Sequence, residues 1–246
     1  MIRRAFAPFR TVFALTVVAL ATIVLGTSII ILARFHASTR HITRIMHLWA
    51  RTFLLVTGTH VEAEGLDRID PKGSYVFTGN HISSMEIPVM IALLPVSIRF
   101  LAKKELFGVP VLGPAMRAIH MVRTDRQAGG MAHRAINEQV AKVVAAGLSL
   151  MIYPEGTRSK DAEMNPFKKG AFRIAIDNRM PIVPVTITGS ERVWRPGGKL
   201  IYGGDVLLVI HEPIPTDQMT GADIDGLRDR VREIVAETYE EIRVRG

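Results

Sequence analysis

From Thr11 to Ala33 the chain carries no charged residue, and nearly every position is apolar. At a rise of roughly 1.5 Å per residue, a helix of that length covers the roughly 30 Å hydrocarbon core of a bilayer. No other feature limits the possible folds so strongly, because such a segment is stable only against lipid or against another apolar surface. Arg3, Arg4 and Arg10 precede it, as basic residues precede a signal peptide core. The run is longer than such a core, however, and it ends at Leu32-Ala33-Arg34-Phe35 without a small-residue cleavage site. A retained anchor is therefore expected. A hydrophobic content of 48% and a mean hydropathy of +0.22 agree with it. Basic residues flank the run on both sides, so the positive-inside rule assigns no orientation.

The next segment is amphipathic. At about 100° per residue, Arg40, Arg44, His47 and Arg51 share one sector, and Ile42, Ile45, Met46, Trp49 and Phe53 lie opposite. A helix with cations on one side and Trp and Phe on the other fits the headgroup plane of an anionic bilayer. The same pattern fits a helix packed on the protein's own core. Either way the segment joins the anchor to the rest of the chain. This gives two parts: 1–58, anchor and interfacial helix, and 59–246, a single domain.

In the second part, short apolar runs alternate with helical spacing. The predicted strands are Tyr75–Thr78, Ile98–Ala102, Met121–Arg123, Leu148–Tyr153, Ile182–Thr188 and Val206–His211. Predicted helices span Glu86–Leu94, Leu106–Ile119 (interrupted by Pro110 and Pro114), Met131–Ala146 and Ile224–Ile242. Such alternation implies an α/β fold with a mainly parallel sheet covered by helices.

Two strand ends carry chemistry. After the first strand comes Asn80-His81-Ile82-Ser83-Ser84-Met85-Glu86. A carboxylate five positions beyond a histidine can fix the imidazole tautomer and leave the other ring nitrogen free to accept a proton near neutral pH. Taken alone, a His–Glu pair is more often a structural hydrogen bond than a catalytic one. After the Leu148 strand comes Tyr153-Pro154-Glu155-Gly156-Thr157-Arg158-Ser159, where Pro and Gly force a tight turn and Arg158 can grip a phosphate in bidentate fashion. An ordinary strand-end turn with a solvated arginine would read the same way.

Further cations, Lys103, Lys104, Arg123, Arg126, Lys168 and Lys169, recur near strand ends, where open α/β sheets bind ligands. A scattered solvated surface is the simpler account of Lys104 and of at least one of Lys168 and Lys169. The net charge of +8 favours an anionic partner. With no cysteine there is no disulfide, no thiol nucleophile and no thiolate metal site. No Gly-x-Ser-x-Gly elbow is present, which argues against an α/β-hydrolase lipase. No nucleic-acid motif accompanies the basic residues, so nucleic acid is not expected as a partner.

Asn-His-x-Ser-x-x-acid, then Lys-x-Glu-Leu with Asp-Arg, then Pro-Glu-Gly-Thr-Arg-Ser, then Pro-Ile-Val-Pro-Val: this order, from about Tyr75 to Gly189, resembles the 1-acyl-sn-glycerol-3-phosphate acyltransferase family. The resemblance implies acyl transfer from acyl-CoA or acyl-carrier protein to the free hydroxyl of 1-acyl-sn-glycerol 3-phosphate (lysophosphatidate), giving phosphatidate. The donor is a substrate, and neither cofactor nor metal is implied. It makes His81 the base and Glu86 its orienting acid, and assigns the acceptor's glycerol phosphate to Arg126, Glu155, Gly156, Thr157 and Arg158, with Lys103 a further contact. The strand Pro181–Val185 becomes structural or acyl-facing. An enzyme anchored at an inner or plasma membrane, its domain facing the cytoplasm, is the matching expectation. The family's usual acid in the first motif is Asp, whereas this chain has Glu86, which leaves another lysolipid acceptor as the alternative.

Overall fold

The computed structural model describes residues 6–35, 38–124, 129–159 and 163–245, with the backbone alone for 129–134 and 245. Asp125 and Arg126 lie outside the described residues.

Two helices, α1 (Ala7–Arg34) and α2 (Thr39–Thr57), form the N-terminal hairpin. The apolar run is helical throughout, starting beside Pro8, whose fixed φ suits a first helical turn. Small residues make its inner stripe: Ala7, Thr11, Ala14 and Gly26 are buried, while Phe9, Val12, Phe13 and Val24 on the outer face are at least half exposed. The stripe is tied down along its length. Arg10 donates to the Tyr202 carbonyl, Thr11 Oγ1 accepts from Ile201 N at 2.8 Å, and Thr22 Oγ1 accepts from Trp49 Nε1 at 2.9 Å. The apolar face of α2 (Ile42, Met46, Ala50, Phe53) packs into the protein's own core, while Arg40, Arg44 and Arg51 are exposed. Gly58, in the left-handed region at φ +65°, ends α2 and turns the chain into β1. The hairpin and the domain thus meet at residue 58 and share one hydrophobic core.

The remaining elements are β1 (Thr59–Glu64), β2 (Val76–Gly79), α3 (Glu86–Leu93), β3 (Ile98–Lys103), α4 (Leu112–Ala118), β4 (Val122–Thr124), α5 (Gly129–Ala145), β5 (Ser149–Ile152), α6 (Gly170–Asp177), β6 (Ile182–Thr188), α7 (Ser190–Val193), β7 (Gly204–Ile210) and α8 (Ile224–Arg245). The strands form one sheet in the order β1-β7-β6-β2-β5-β3-β4. From β6 to β4 every pairing is parallel; β7 runs antiparallel to β6, and β1 runs parallel to β7. The fold is α/β with a mostly parallel sheet flanked by helices. One face, carrying Phe77, Phe100, Met151 and Val185, packs under α1–α4; the other, carrying Val76, Leu150 and Ile182, packs on α5, α6 and α8.

The expected strands are present within one or two residues of their predicted ends. Three labelled elements were not predicted: β1, α6 and the four-residue α7. β1, at the sheet's edge, alternates exposed positions with buried or half-buried ones and contains two glutamates, so its apolar signal is weak. α6 spans only eight residues. The predicted helix Leu106–Ile119 is instead a 3₁₀ turn (Lys104–Gly108) followed by α4, because Pro110 cannot continue a helix and Val111 takes φ +62°.

Candidate active site

Parallel pairing brings the carboxyl ends of β2, β5 and β6 together, and three loops converge there. The close approach of β2 to β6 requires Gly79: a Cβ there would lie 2.1 Å from the Val185 carbonyl oxygen. Beyond it, Asn80 extends the ladder with its side chain. Its Nδ2 donates to Ile187 O at 2.7 Å, and Ile187 N donates to its Oδ1 at 2.9 Å. The peptide before His81 is therefore fixed as firmly as a strand residue.

The His81 ring meets Glu86 at 2.5 Å through Nδ1. Glu86 opens α3 and is fully buried, its other oxygen accepting from Ile82 N (2.8 Å), Ser83 N (2.6 Å) and Ser190 Oγ (3.3 Å). Those donors supply the hydrogen bonds that a buried carboxylate needs. Among the described residues no protein group bonds the second ring nitrogen of His81, Nε2. The His81 side chain is 14% exposed.

The second motif braces the first. Glu155 is 2% exposed; its Oε1 accepts from His81 N at 2.6 Å, and its Oε2 accepts from the backbone and side-chain amides of Asn165, both at 2.9 Å. Burial raises its carboxyl above the ordinary range, with the Glu86 charge adding to the rise and the donors from Asn165 and His81 opposing it. Ser159 N donates to His81 O at 2.9 Å, so both backbone groups of His81 are held by the Pro-Glu-Gly-Thr-Arg-Ser turn. Gly156 stands at φ +76°, and a Cβ there would lie 2.8 Å from Lys168 Nζ. Thr157 and Arg158 are exposed, and Arg158 donates to the Ser84 hydroxyl. Lys103 is exposed at the carboxyl end of β3. Lys169 pairs on the surface with Asp225, and Arg123 lies on the edge strand β4, its backbone held by Gln139.

His81, Glu86, Glu155, Gly156 and Arg158 thus come together, and Thr157 lies in the same turn. Three residues that complete the site carried no individual signal. Ser190 reaches Glu86 from α7, Asn80 locks β2 to β6, and Tyr153 stacks on His81 with ring centroids 4.0 Å apart and planes 12° apart. Asn80 and Tyr153 open the two segments quoted from the sequence, but their residue types alone assigned neither this role.

Beside this site lies an apolar cavity of about 240 Å³. It runs from Ile87 and Ile91 on α3 to Met121, and Gly26, Ile29 and Trp49 of the N-terminal hairpin close it.

A histidine held by a buried carboxylate thus stands at the carboxyl end of a parallel sheet, with the exposed Arg158 in the turn beside it and an apolar cavity starting at Ile87. The acyltransferase family model matches residues 60–188, which span both motifs, and the chain belongs to that family. Among curated relatives, a 1-acyl-sn-glycerol-3-phosphate acyltransferase of Cocos nucifera is 33% identical over 70% of this chain and 55% of its own length. The human 1-acyl-sn-glycerol-3-phosphate acyltransferase alpha is 29% identical over 82% of this chain and 72% of its own. The chain spans about half the length of the first of these. The crystal structure of the 1-acyl-sn-glycerophosphate acyltransferase PlsC from Thermotoga maritima has the same fold, with a TM-score of 0.83 over 98% of each chain at 23% identity.

Proposed function

We propose that the protein transfers an acyl group from a thioester, acyl-CoA or acyl-carrier protein, to the free hydroxyl of lysophosphatidate, giving phosphatidate. The observation that carries the reading is the His81–Glu86 pair with Nε2 unengaged. Glu86 holds the ring so that Nε2 accepts the hydroxyl proton as oxygen attacks the thioester carbonyl. The imidazolium then returns the proton to the departing thiolate, and no covalent enzyme intermediate is needed. The relatives of two kingdoms named for this acceptor support it.

Arg158 is exposed beside Ser84, within the loop that carries His81, and receives the acceptor phosphate; Lys168 and Lys103 add positive charge to the same opening. Glu155 acts through the protein, as the brace of His81, because both its oxygens are engaged by backbone and Asn165 donors. The cavity starting at Ile87 takes the donor's acyl chain. The outer face of α1 lies in the bilayer with the domain against it, since its inner stripe is bonded to the domain at Arg10 and Thr11 and to α2 at Thr22. The domain faces the cytoplasm, where acyl thioesters are made.

The test is an acceptor comparison with purified membranes. Lysophosphatidate, whose phosphomonoester carries close to two negative charges, should be used well, and lysophosphatidylcholine poorly. Arg158→Ala should lower kcat/KM for lysophosphatidate about tenfold or more, the worth of one charge-assisted contact, and so narrow the gap between the two. Equal use of both acceptors by the wild type would direct the assignment to another lysolipid.

A further inference from the structure

We infer that Tyr153 is a positioning residue for the reaction: its ring, stacked face to face on the His81 imidazole, sets the plane of the base and stabilises the imidazolium formed as the acceptor hydroxyl gives up its proton. The inference rests on His81 being the base.

Glu86 holds His81 at one edge through Nδ1, and the backbone of His81 is held at both N and O. The remaining freedom of the ring is a swing about the Nδ1 contact, and Tyr153 covers one face against it. A centroid separation of 4.0 Å at 12° is closer and flatter than most aromatic pairs. With neutral imidazole the contact is dispersion. Once the ring is protonated, a cation lies over an electron-rich face well inside the range of a cation–π attraction, with little water to screen it. The pair is thus worth more in the transition state than in the resting state, which is the condition for lowering a barrier.

The ring acts here, and the hydroxyl does not. Tyr153 Oη is buried without a hydrogen-bond partner among the described residues. Burial pushes the phenol well above its usual range, and the nearby Glu86 charge pushes it further. Other charged or titratable groups surround the two motifs. Glu86 approaches from α3, Glu155 and Arg158 from the turn after β5, and Lys168 from the segment before α6. Tyr239 on α8 feels both Glu86 and Glu191 of α7. All of these stay constant when only the electron density of the stacked ring is changed.

That constancy defines the experiment. In the full chain in membranes, Tyr153→Phe serves as parent for isosteric phenylalanines bearing one, two and five ring fluorines, each with a weaker π-face. kcat/KM for lysophosphatidate with a long-chain acyl-CoA is measured against pH. The acidic limb, where protonation disables the base, should move stepwise to lower pH, by about half a unit across the series, while kcat falls. Tyr153→Leu, which keeps bulk without a π-face, should move the limb the same way and lower kcat more than it changes KM. A limb that stays in place across the fluorinated series overturns the proposal, whether or not the Leu variant folds. His81→Ala separates the two readings: if it is inert and the series is flat, only the role of Tyr153 fails; if it turns over at the wild-type rate, the base assignment fails and takes the proposal with it.

Discussion

At the scale of single residues, the two motifs do different work. The first carries the proposed base, His81, and the second holds its backbone. Glu155 illustrates this, since its two oxygens accept one bond from His81 N and two from Asn165. A glutamine there can present only one acceptor oxygen, so its amide must face either His81 N–H or the Asn165 amides. Glu155→Gln should therefore destabilise the fold by about 1–3 kcal/mol, the cost of a buried unpaired donor, and lower kcat, as read by denaturant titration and initial rates. Unchanged stability would show that the brace is dispensable. His81 and Glu86 were legible because their relation is local, five residues apart across a strand end. The inward orientation of Glu155 was not, because its partner His81 stands 74 positions earlier and only the β2–β5 pairing brings the two together.

At the scale of elements, α1 has two faces that hydropathy cannot separate. Every position from Thr11 to Ala33 is uncharged, so the run reads simply as a span. What distinguishes its faces is side-chain size: small residues at Ala7, Thr11, Ala14 and Gly26 let it approach the domain, and Phe9, Val12, Phe13 and Val24 are left outside. The two faces make opposite predictions. Phe9→Ser with Val24→Ser should weaken flotation with vesicles while leaving the melting temperature nearly unchanged. Removal of residues 1–35 should lower stability as well, since Met46, Phe53 and the cavity wall lose their cover. A truncated chain as stable as the full one would make α1 a tether only. The same elements explain why the amphipathic pattern of α2 left two readings open: an apolar stripe looks alike whether lipid or protein covers it, and here the core does.

At the scale of the whole molecule, the alternation of strands and helices was enough for the parallel sheet from β6 to β4, because its central strands β2, β5 and β6 are mostly apolar and buried on both faces. It was not enough for the reversed edge, where β1 is half polar and pairs with β7 across more than 140 residues. That edge also makes stability depend on pH. His211, at the end of β7, contacts Thr186 of β6 at 3.0 Å; burial, with Arg68 nearby, lowers its value from 6.5 to about 4. The unfolded chain takes up a proton near 6.5 while folded His211 stays neutral, so stability falls as pH drops from there toward 4. The melting temperature of wild type should decline over this window more steeply than that of His211→Gln. Parallel curves would place the acid sensitivity elsewhere.

In the proposed mechanism, activity turns on one proton transfer to His81. Its most direct measurement is the initial rate of phosphatidate formation from lysophosphatidate and a long-chain acyl-CoA, comparing wild type with His81→Ala at equal folded, membrane-bound protein. Loss of a positioned general base should slow the reaction by about 10²–10⁴-fold, and Glu86→Gln should fall between the two. A His81→Ala protein that forms phosphatidate at the wild-type rate would contradict that role.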